Sequence, residues 1–474
     1  MAKILKKHLS FRNIAYILAV MTILFLGNKL REYEYAKVPF PGETRDEYSF
    51  GWLGISLIRD KYPTAWSGIE GYKYSREEDI NVDNIFTGHP EEVPFTINKP
   101  WFDHPPLFGL LVGGYAYTKG IREFKDASVI ILRRPMLKIG VLSVLLVSIL
   151  AWQLFGPMTG VISGLLYAII PSVVISSRLA LAENGYIPLF LGGVLSAYLY
   201  FTKKDKRFWY IACFLAAAGV LFKLSGISIF LSLVLLSLIL ENKEKACLLK
   251  ILFSFVGLTL LLYLVYGYYY GIDTFLRVLA TNSSRFFGAG AEIFYGAVVS
   301  TKITGSKTLT DGWILLGWIA FFIYLFRNTL FGKKDNIIYI IVPAVSYFIV
   351  FIVFGSESYG WYRYPFYPFL IIFAGKLLYE LIVSPNVLYL FLILLPFGTS
   401  SHRLFGTVGF NDYSAIFRVG VVGIFSIFMG SFFLNKHTSI LLQRIATVMV
   451  FLLVSYLSVK EVYFYDFAHW IFAN

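Results

Sequence analysis

The sequence predicts an all-α polytopic membrane protein, and three observations carry that expectation. The chain of 474 residues is 57% hydrophobic and only 15% charged, with a mean hydropathy of +0.67, far from the soluble globular average. Apolar runs recur to the C-terminus, each about 18 to 23 residues long, close to the roughly 20 that a helix needs to cross the hydrocarbon core. The Lys and Arg residues gather in short loops between those runs, as the positive-inside rule requires. An outer-membrane barrel would show short alternating strands instead.

The first span, 13–30, follows Met1-Ala2-Lys3-Ile4-Leu5-Lys6-Lys7. No small-x-small cleavage site follows Gly27, so the span reads as retained rather than as a signal peptide. Further spans are expected at 129–153, 158–177, 185–202, 208–222, 226–241, 248–270, 312–327, 337–354, 364–382, 386–399, 415–435 and 441–459, about thirteen in all. Segment 107–118 is too short to cross and reads as half-inserted or interfacial. The cations Lys203, Lys204, Lys206 and Arg207, then Lys243, Lys245 and Lys250, then Arg327, Lys333 and Lys334 share the side of Lys3, Lys6 and Lys7. A cytoplasmic N-terminus and an outer C-terminal tail follow. The same loops account for the net charge of +13, so nucleic acid is not an expected partner. Cys213 and Cys247 fall in or near inner segments and imply no disulfide framework.

The sizeable hydrophilic pieces are therefore outer ones: 31–106, 271–311 and a shorter stretch near 400–414. Neither face has room for a nucleotide-binding domain, and no phosphate loop of the Walker type occurs, which argues against ATP-driven transport. In the first outer piece, Thr44-Arg45-Asp46-Glu47-Tyr48-Ser49-Phe50-Gly51 opens with two adjacent carboxylates. Phe50, Leu53, Leu57 and Ile58 recur at helical spacing up to Arg59-Asp60-Lys61, an interfacial helix with Asp46 and Glu47 at its N-terminus. Helix capping and chemistry both account for an acidic pair there. Glu70 to Trp101 lacks clear periodicity and reads as a solvated loop or as the lining of an acceptor site. In Trp101-Phe102-Asp103-His104-Pro105-Pro106-Leu107 the paired prolines force a rigid, non-helical entry to the membrane, with Asp103 and His104 at the rim.

Span three ends in Arg178 and Glu183, and span five ends in Lys223-Leu224-Ser225-Gly226. A late span opens with Tyr359-Gly360-Trp361-Tyr362-Arg363-Tyr364-Pro365-Phe366-Tyr367-Pro368. An aromatic belt accounts for the Tyr and Trp residues and not for Arg363; snorkelling is the plain reading of Lys223. One topology brings Asp46, Glu47, Asp103, His104, Arg178, Glu183, Lys223 and Arg363 to one face. Cations offset charge developing on a phosphate leaving group, and a carboxylate takes the proton from an attacking hydroxyl. With no nucleotide site in the chain, a phosphorylated donor is expected to be lipid-linked.

On these motifs the sequence resembles the GT-C membrane glycosyltransferases, in particular the glycosyltransferase 39 type that includes protein O-mannosyltransferases and the aminoarabinose transferase acting on lipid A. The resemblance is carried by the acidic pair Asp46-Glu47, the His104-Pro105-Pro106-Leu107 run, Arg178 followed by Glu183 where Asp is the more usual acid, the Lys223 to Gly226 turn, and Arg363 through Pro368. It implies a single GT-C transmembrane domain over 1–474, with 31–106 as the first extracytoplasmic loop carrying the catalytic acids and 271–311 as the second. It further implies inverting transfer from a polyprenyl-phosphate sugar to a hydroxyl or phosphate of a lipid, glycan or protein acceptor, in the bilayer and on the extracytoplasmic face. By the resemblance Asp46 is the base and Glu47 a positioning or acceptor-binding residue. Arg363, Lys223 and Arg178 contact the donor phosphate, and Asp103, His104 and Glu183 bind or orient the acceptor. No cofactor is implied with certainty; a divalent metal on Asp46 and Glu47 stays open, since GT-C enzymes differ in using one.

Two other readings remain at this point. A transporter or flippase of a lipid-linked saccharide also needs embedded charge, though transporters show charges near mid-bilayer and repeated halves. A GT-C-like polysaccharide ligase or polymerase would use a late outer loop with Arg and His, faintly matched by His402 and Arg403. Asn282-Ser283-Ser284 forms a glycosylation sequon on an outer loop.

Overall fold

The computed structural model describes residues 11–83, 90–240, 243–284, 302–304, 311–331, 336–353, 359–405 and 410–464, with 295, 297, 298 and 309 singly. Lys3, Lys6, Lys7, Lys333 and Lys334 of the charge argument lie outside the described residues, as do the side chains of His402 and Arg403.

Helix α1 (Phe11–Glu32) leads into the first hydrophilic segment, which holds α2 (Asp46–Arg59), strands β1 (Ala65–Trp66), β2 (Ser75–Asp83) and β3 (Pro90–Asn98), and then α3 (Pro106–Thr118). The bundle continues with α4 (Val129–Phe155), α5 (Pro157–Ile169), α6 (Pro171–Ser176), α7 (Ala182–Lys203), α8 (Lys206–Phe222), α9 (Ile227–Leu240) and α10 (Lys245–Ser284). It ends with α11 (Gly312–Phe331), α12 (Ile338–Val353), a 3-10 helix at Gly360–Phe366, α13 (Tyr367–Val383), α14 (Val387–Phe405), α15 (Phe410–Ser431) and α16 (Lys436–Phe464).

Against the roughly thirteen spans expected from run length, six helices among the described residues are long and apolar enough to cross a membrane, and six more apolar helices have 10–17 residues. Their apolar windows are unequally covered. The Gly360–Val383 window is 72% buried and that of Lys245–Ser283 only 28%, so α13 is central and α10 presents Phe253, Leu258, Leu261, Leu262 and Val265 outward, as a lipid-facing helix does.

Three expectations are corrected and one span is extended by a second helix. The chain is not wholly helical, because β1, β2 and β3 form a three-stranded antiparallel sheet in the order β1-β3-β2, with Trp66 opposite Ile97 and Ile80 opposite Val93. Val93, Phe95 and Ile97 alternate with Pro94, Thr96 and Asn98 along β3, and Phe95 and Ile97 are buried; the period is two, which a search at helical spacing passes over. The span expected over 158–177 breaks at Pro171, which cannot continue the hydrogen-bond ladder; Ile170 turns extended (φ −61°, ψ 122°) and starts α6. The span expected to end at 270 does stop there: Gly271, at φ 140° and ψ 88°, kinks the chain out of helical geometry, a backbone state open to glycine, and a second helical stretch runs on to Ser284 in the expected outer piece 271–311. Beyond that turn Phe275 packs back on Tyr263 and on Phe102, at ring distances of 5.0 and 5.4 Å. The stretch 400–414 is mostly helical, since α14 runs to Phe405 and α15 starts at Phe410.

The expected helix after Asp46 is present, but it is packed rather than interfacial: Glu47 through Ser56 are all buried. It crosses α3 at glycines on both sides. A Cβ on Gly54 would run into the Gly109 carbonyl, and one on Gly113 into the Gly51 carbonyl, so the two backbones touch as small residues allow. The crossing seats the N-terminus of α2 and the N-terminus of α3 against one another's surroundings.

Candidate functional site

The two acids that open α2 face different ways, because neighbouring helical residues project about 100° apart. Asp46 is half-buried and lines a cleft of about 240 Å³. Its backbone N–H donates to Thr44 Oγ1 at 3.3 Å. Glu47 turns inward and is fully buried. Arg133 of α4 donates to both of its oxygens, Nε to Oε1 at 2.8 Å and Nη2 to Oε2 at 2.7 Å, and the Ala180 N–H donates to Oε1 at 2.8 Å. The same guanidinium donates to the carbonyls of Tyr35 at 3.0 Å and Pro39 at 2.5 Å. A buried charge pair with its remaining groups satisfied is the arrangement a low-dielectric interior tolerates.

Asp103 and His104 reach the same cleft from the turn before α3. Asp103 accepts from Ser67 Oγ at 2.6 Å and from the Tyr72 hydroxyl at 2.5 Å, and the Phe102 N–H donates to that hydroxyl at 2.8 Å. Burial, with the Asp103 charge beside it, pushes the Tyr72 phenol well above the usual tyrosine range. His104 stacks on Phe50 of α2 at 5.3 Å and meets Trp101 edge-on at 5.9 Å. Asn282, at the end of α10 beyond the kink at Gly271, donates to the Asp103 carbonyl at 3.0 Å.

The opposite wall is aromatic. Tyr359 and Trp361 stack at 4.5 Å with 7° between their planes, and both line the cleft with Tyr362. Behind Tyr362 lies Lys223, its ammonium 4.6 Å from the ring centroid and paired with Glu183. Both members of that pair are buried, and Lys223 is within electrostatic reach of Asp46. Arg363 is buried one residue beyond Tyr362, and its Nη1 donates to the Tyr359 carbonyl at 3.0 Å. Residues 302–304 tie this wall to the first loop: the Thr304 hydroxyl donates to Glu43, the Gly360 N–H donates to the Thr304 carbonyl at 3.1 Å, and the Tyr364 hydroxyl donates to the Ile303 carbonyl.

Asp46, Asp103 and His104 thus share one cleft, with Lys223 and Glu183 directly behind its wall and Arg363 in the wall's own 3-10 turn. Arg178 does not join them. Expected on the donor phosphate, it is buried with Nη1 donating to the Val38 carbonyl and Nη2 to the Leu30 carbonyl, both at 2.8 Å. Leu30 lies in the last turn of α1, whose carbonyls lack helical partners, and the break at Pro171 carries Arg178 under them. Glu47 is likewise withdrawn from any acceptor by Arg133. The lining residues Glu43, Arg45 and Trp66 were not among the expected site residues. Arg45 lies over the rings of Phe95 at 4.9 Å and Trp66 at 5.6 Å. Arg133 was passed over too, although a cation inside an apolar span is itself a signal.

The acidic pair does not fit a divalent metal. Both Glu47 oxygens are taken by Arg133, which leaves one carboxylate of the two. Among the described residues no three His, Cys, Asp or Glu side chains are grouped to hold a metal ion.

Residues 103–270 match the model of the dolichyl-phosphate-mannose-protein mannosyltransferase family. Among solved structures, ArnT from Cupriavidus metallidurans bound to undecaprenyl phosphate matches with a TM-score of 0.54 at 13% identity, over 95% of this chain and 77% of that one. Its apo state gives 0.52 at 13% identity, over 95% and 76%. The archaeal oligosaccharyltransferase AglB from Archaeoglobus fulgidus, in complex with an inhibitory peptide and a dolichol-phosphate, gives 0.53 at 12% identity over 92% of this chain and 56% of that one. The chain therefore spans little more than half the length of that transferase. No curated protein is matched by its sequence. The chain shares the fold of these solved structures, the fold that the resemblance to GT-C membrane glycosyltransferases implied, and its apolar helices are those of a multi-pass membrane protein.

Proposed function

We propose that this chain transfers a sugar, with inversion, from a polyprenyl-phosphate donor to an acceptor hydroxyl or phosphate oxygen at the extracytoplasmic membrane face, its N-terminus being cytoplasmic. The observation that carries the reading is the division of labour in the acidic pair. Asp46 opens into the cleft and Glu47 is locked beneath it. The acceptor oxygen attacks the anomeric carbon, the bond from that carbon to the donor phosphate oxygen breaks, and the polyprenyl phosphate leaves. Where the acceptor is a hydroxyl, Asp46 takes its proton. Lys223 and Arg363 supply positive charge toward the phosphate as it gains charge; we assign Glu183 to holding Lys223, and Glu47 to holding the start of α2. Asp103 and His104 face the acceptor. No step needs a metal. The solved neighbours' undecaprenyl phosphate and dolichol-phosphate support a lipid-linked donor.

The experiment is transfer of radiolabelled sugar from synthetic polyprenyl-phosphate hexoses to native membrane extract by the purified protein and its Asp46→Asn variant. Label entering a lipid or protein fraction with wild type alone establishes the reaction and names the acceptor class. Transfer retained by a folded Asp46→Asn protein overturns it.

A further inference from the structure

A second cleft, of about 250 Å³, lies at the other end of α2, lined by Arg59, Asp60, Thr64, Tyr74, Arg76 and Lys99 among others. It is separated from the first by the β1–β3 ladder: Trp66 lines the first cleft and its cross-strand partner Ile97 lines the second. Asp46 and Arg59 are the first and last residues of α2, so the two clefts are about 20 Å apart at 1.5 Å per residue, a distance several sugar rings long.

The cations here are unequally engaged. Arg59 is consumed by Asp60, with Nε to Oδ1 and Nη2 to Oδ2 both at 2.8 Å, and by Glu123 at 3.0 Å. Lys99 makes no ion pair within 4 Å among the described residues, and its ammonium lies over the Tyr62 ring at 4.7 Å from the centroid. Its backbone N–H donates to the Tyr74 carbonyl at 3.2 Å, which fixes it at the end of β3. Arg76 is strongly exposed at the start of β2, paired with Glu78. Tyr74, between them, leaves 60% of its surface exposed. Lys73 Nζ lies over the Tyr74 ring at 5.4 Å from its centroid, so one face of the ring is covered; the exposed remainder, with Lys99 and the solvent-facing Arg76–Glu78 pair beside it, is equipped to take a sugar ring and an acidic group attached to it.

We propose that this cleft is a distal subsite for an acidic oligosaccharide acceptor, with Lys99 and Arg76 holding a carboxylate or phosphate of the chain and Tyr74 stacking on a ring, while the reacting end lies at Asp46. It rests on the transfer reaction proposed above and adds the class of acceptor. The attraction between exposed charges is screened within about a Debye length, roughly 8 Å at physiological salt, so binding here weakens as salt rises.

The test is binding, measured without turnover, of tetragalacturonic acid and of a neutral galactose tetrasaccharide to the full chain in phosphatidylcholine nanodiscs. Wild type is expected to hold the acidic tetrasaccharide at least tenfold more tightly than Arg76→Gln/Lys99→Gln, with the difference lost at high salt. The neutral sugar is expected to show no difference between the proteins. Equal binding of the acidic sugar by wild type and the double variant, with unchanged melting temperature, overturns the subsite. So does its displacement by phosphatidylglycerol placed in the disc, which assigns the cations to a lipid headgroup. Loss of transfer in Asp46→Asn is read separately, so the subsite and the reaction fail independently.

Discussion

Arg133 holds Glu47 by two hydrogen bonds, one to each carboxylate oxygen at 2.8 and 2.7 Å, with both side chains fully buried. One carboxylate thereby ties α2 to α4 and, through the Ala180 N–H, to the turn after α6. Removing one partner of a buried pair leaves the other charged and unpaired, at a cost of about 3–5 kcal/mol. Glu47→Gln and Arg133→Met are each expected to lower the thermal midpoint in detergent sharply, and Glu47→Met/Arg133→Met to recover much of the loss. Single variants that melt with wild type would show that the pair does not organise α2.

Asp46 contrasts with its neighbour. It lines the cleft and is half-buried, so Asp46→Asn is expected to change stability by no more than about 0.5 kcal/mol, while transfer falls by roughly 10² to 10⁴, the contribution of a positioned base. Rate against thermal midpoint on the same preparation separates the two. A variant that loses both in parallel would move Asp46 to the structural group with Glu47.

The aromatic wall carries a prediction about substrate affinity. Trp361 stacks on Tyr359 at 4.5 Å, and both line the cleft. Trp361→Ala is expected to raise the KM for a sugar substrate about tenfold, equivalent to about 1.4 kcal/mol, with kcat changed less. Trp361→Phe keeps a stacking face and is expected to recover most of the affinity. A fall in kcat at constant KM would argue that the ring aligns the reacting atoms rather than binding the sugar.

The helical bundle was legible because run length and loop charge report directly on the membrane, and the segment start at Asp46 was legible because Phe50, Leu53 and Leu57 keep helical phase. The sheet was hidden by the acidic residues of β2, Glu77-Glu78-Asp79, which mask the alternation of Val93, Phe95 and Ile97 on its partner. The residues of the cleft were legible as chemistry and not as geometry. The resemblance assigns Asp46 and Glu47 different tasks, but that Glu47 is a buried strut rests on Arg133 of a distant helix, toward which the roughly 100° step between the acids turns it. Arg178 shows the same limit. Its charge marked it for a phosphate, but the carbonyls of Leu30 and Val38 are long-range partners, which no local pattern announces.

Tyr72 offers a test by pH. Its hydroxyl donates to Asp103 at 2.5 Å and accepts from the Phe102 N–H at 2.8 Å, and burial, followed by the charge and hydrogen bond of Asp103, raises its pKa well above the ordinary value. Only the protonated phenol can donate to a carboxylate. The unfolded chain ionises this group near pH 10, whereas the folded chain holds the proton to higher pH. The stability that Tyr72 contributes is therefore full below about pH 10 and is lost as pH rises from there toward the folded-state value. At neutral pH, Tyr72→Phe leaves Asp103 short of one donor and is expected to cost about 1–3 kcal/mol. From pH 10 upward wild type is expected to lose that advantage, so the gap between the two melting temperatures narrows. A gap that stays constant from pH 8 to above pH 11 would mean that the Tyr72 phenol ionises alike in the folded and unfolded chain, and that its bond to Asp103 does not restrain the cleft.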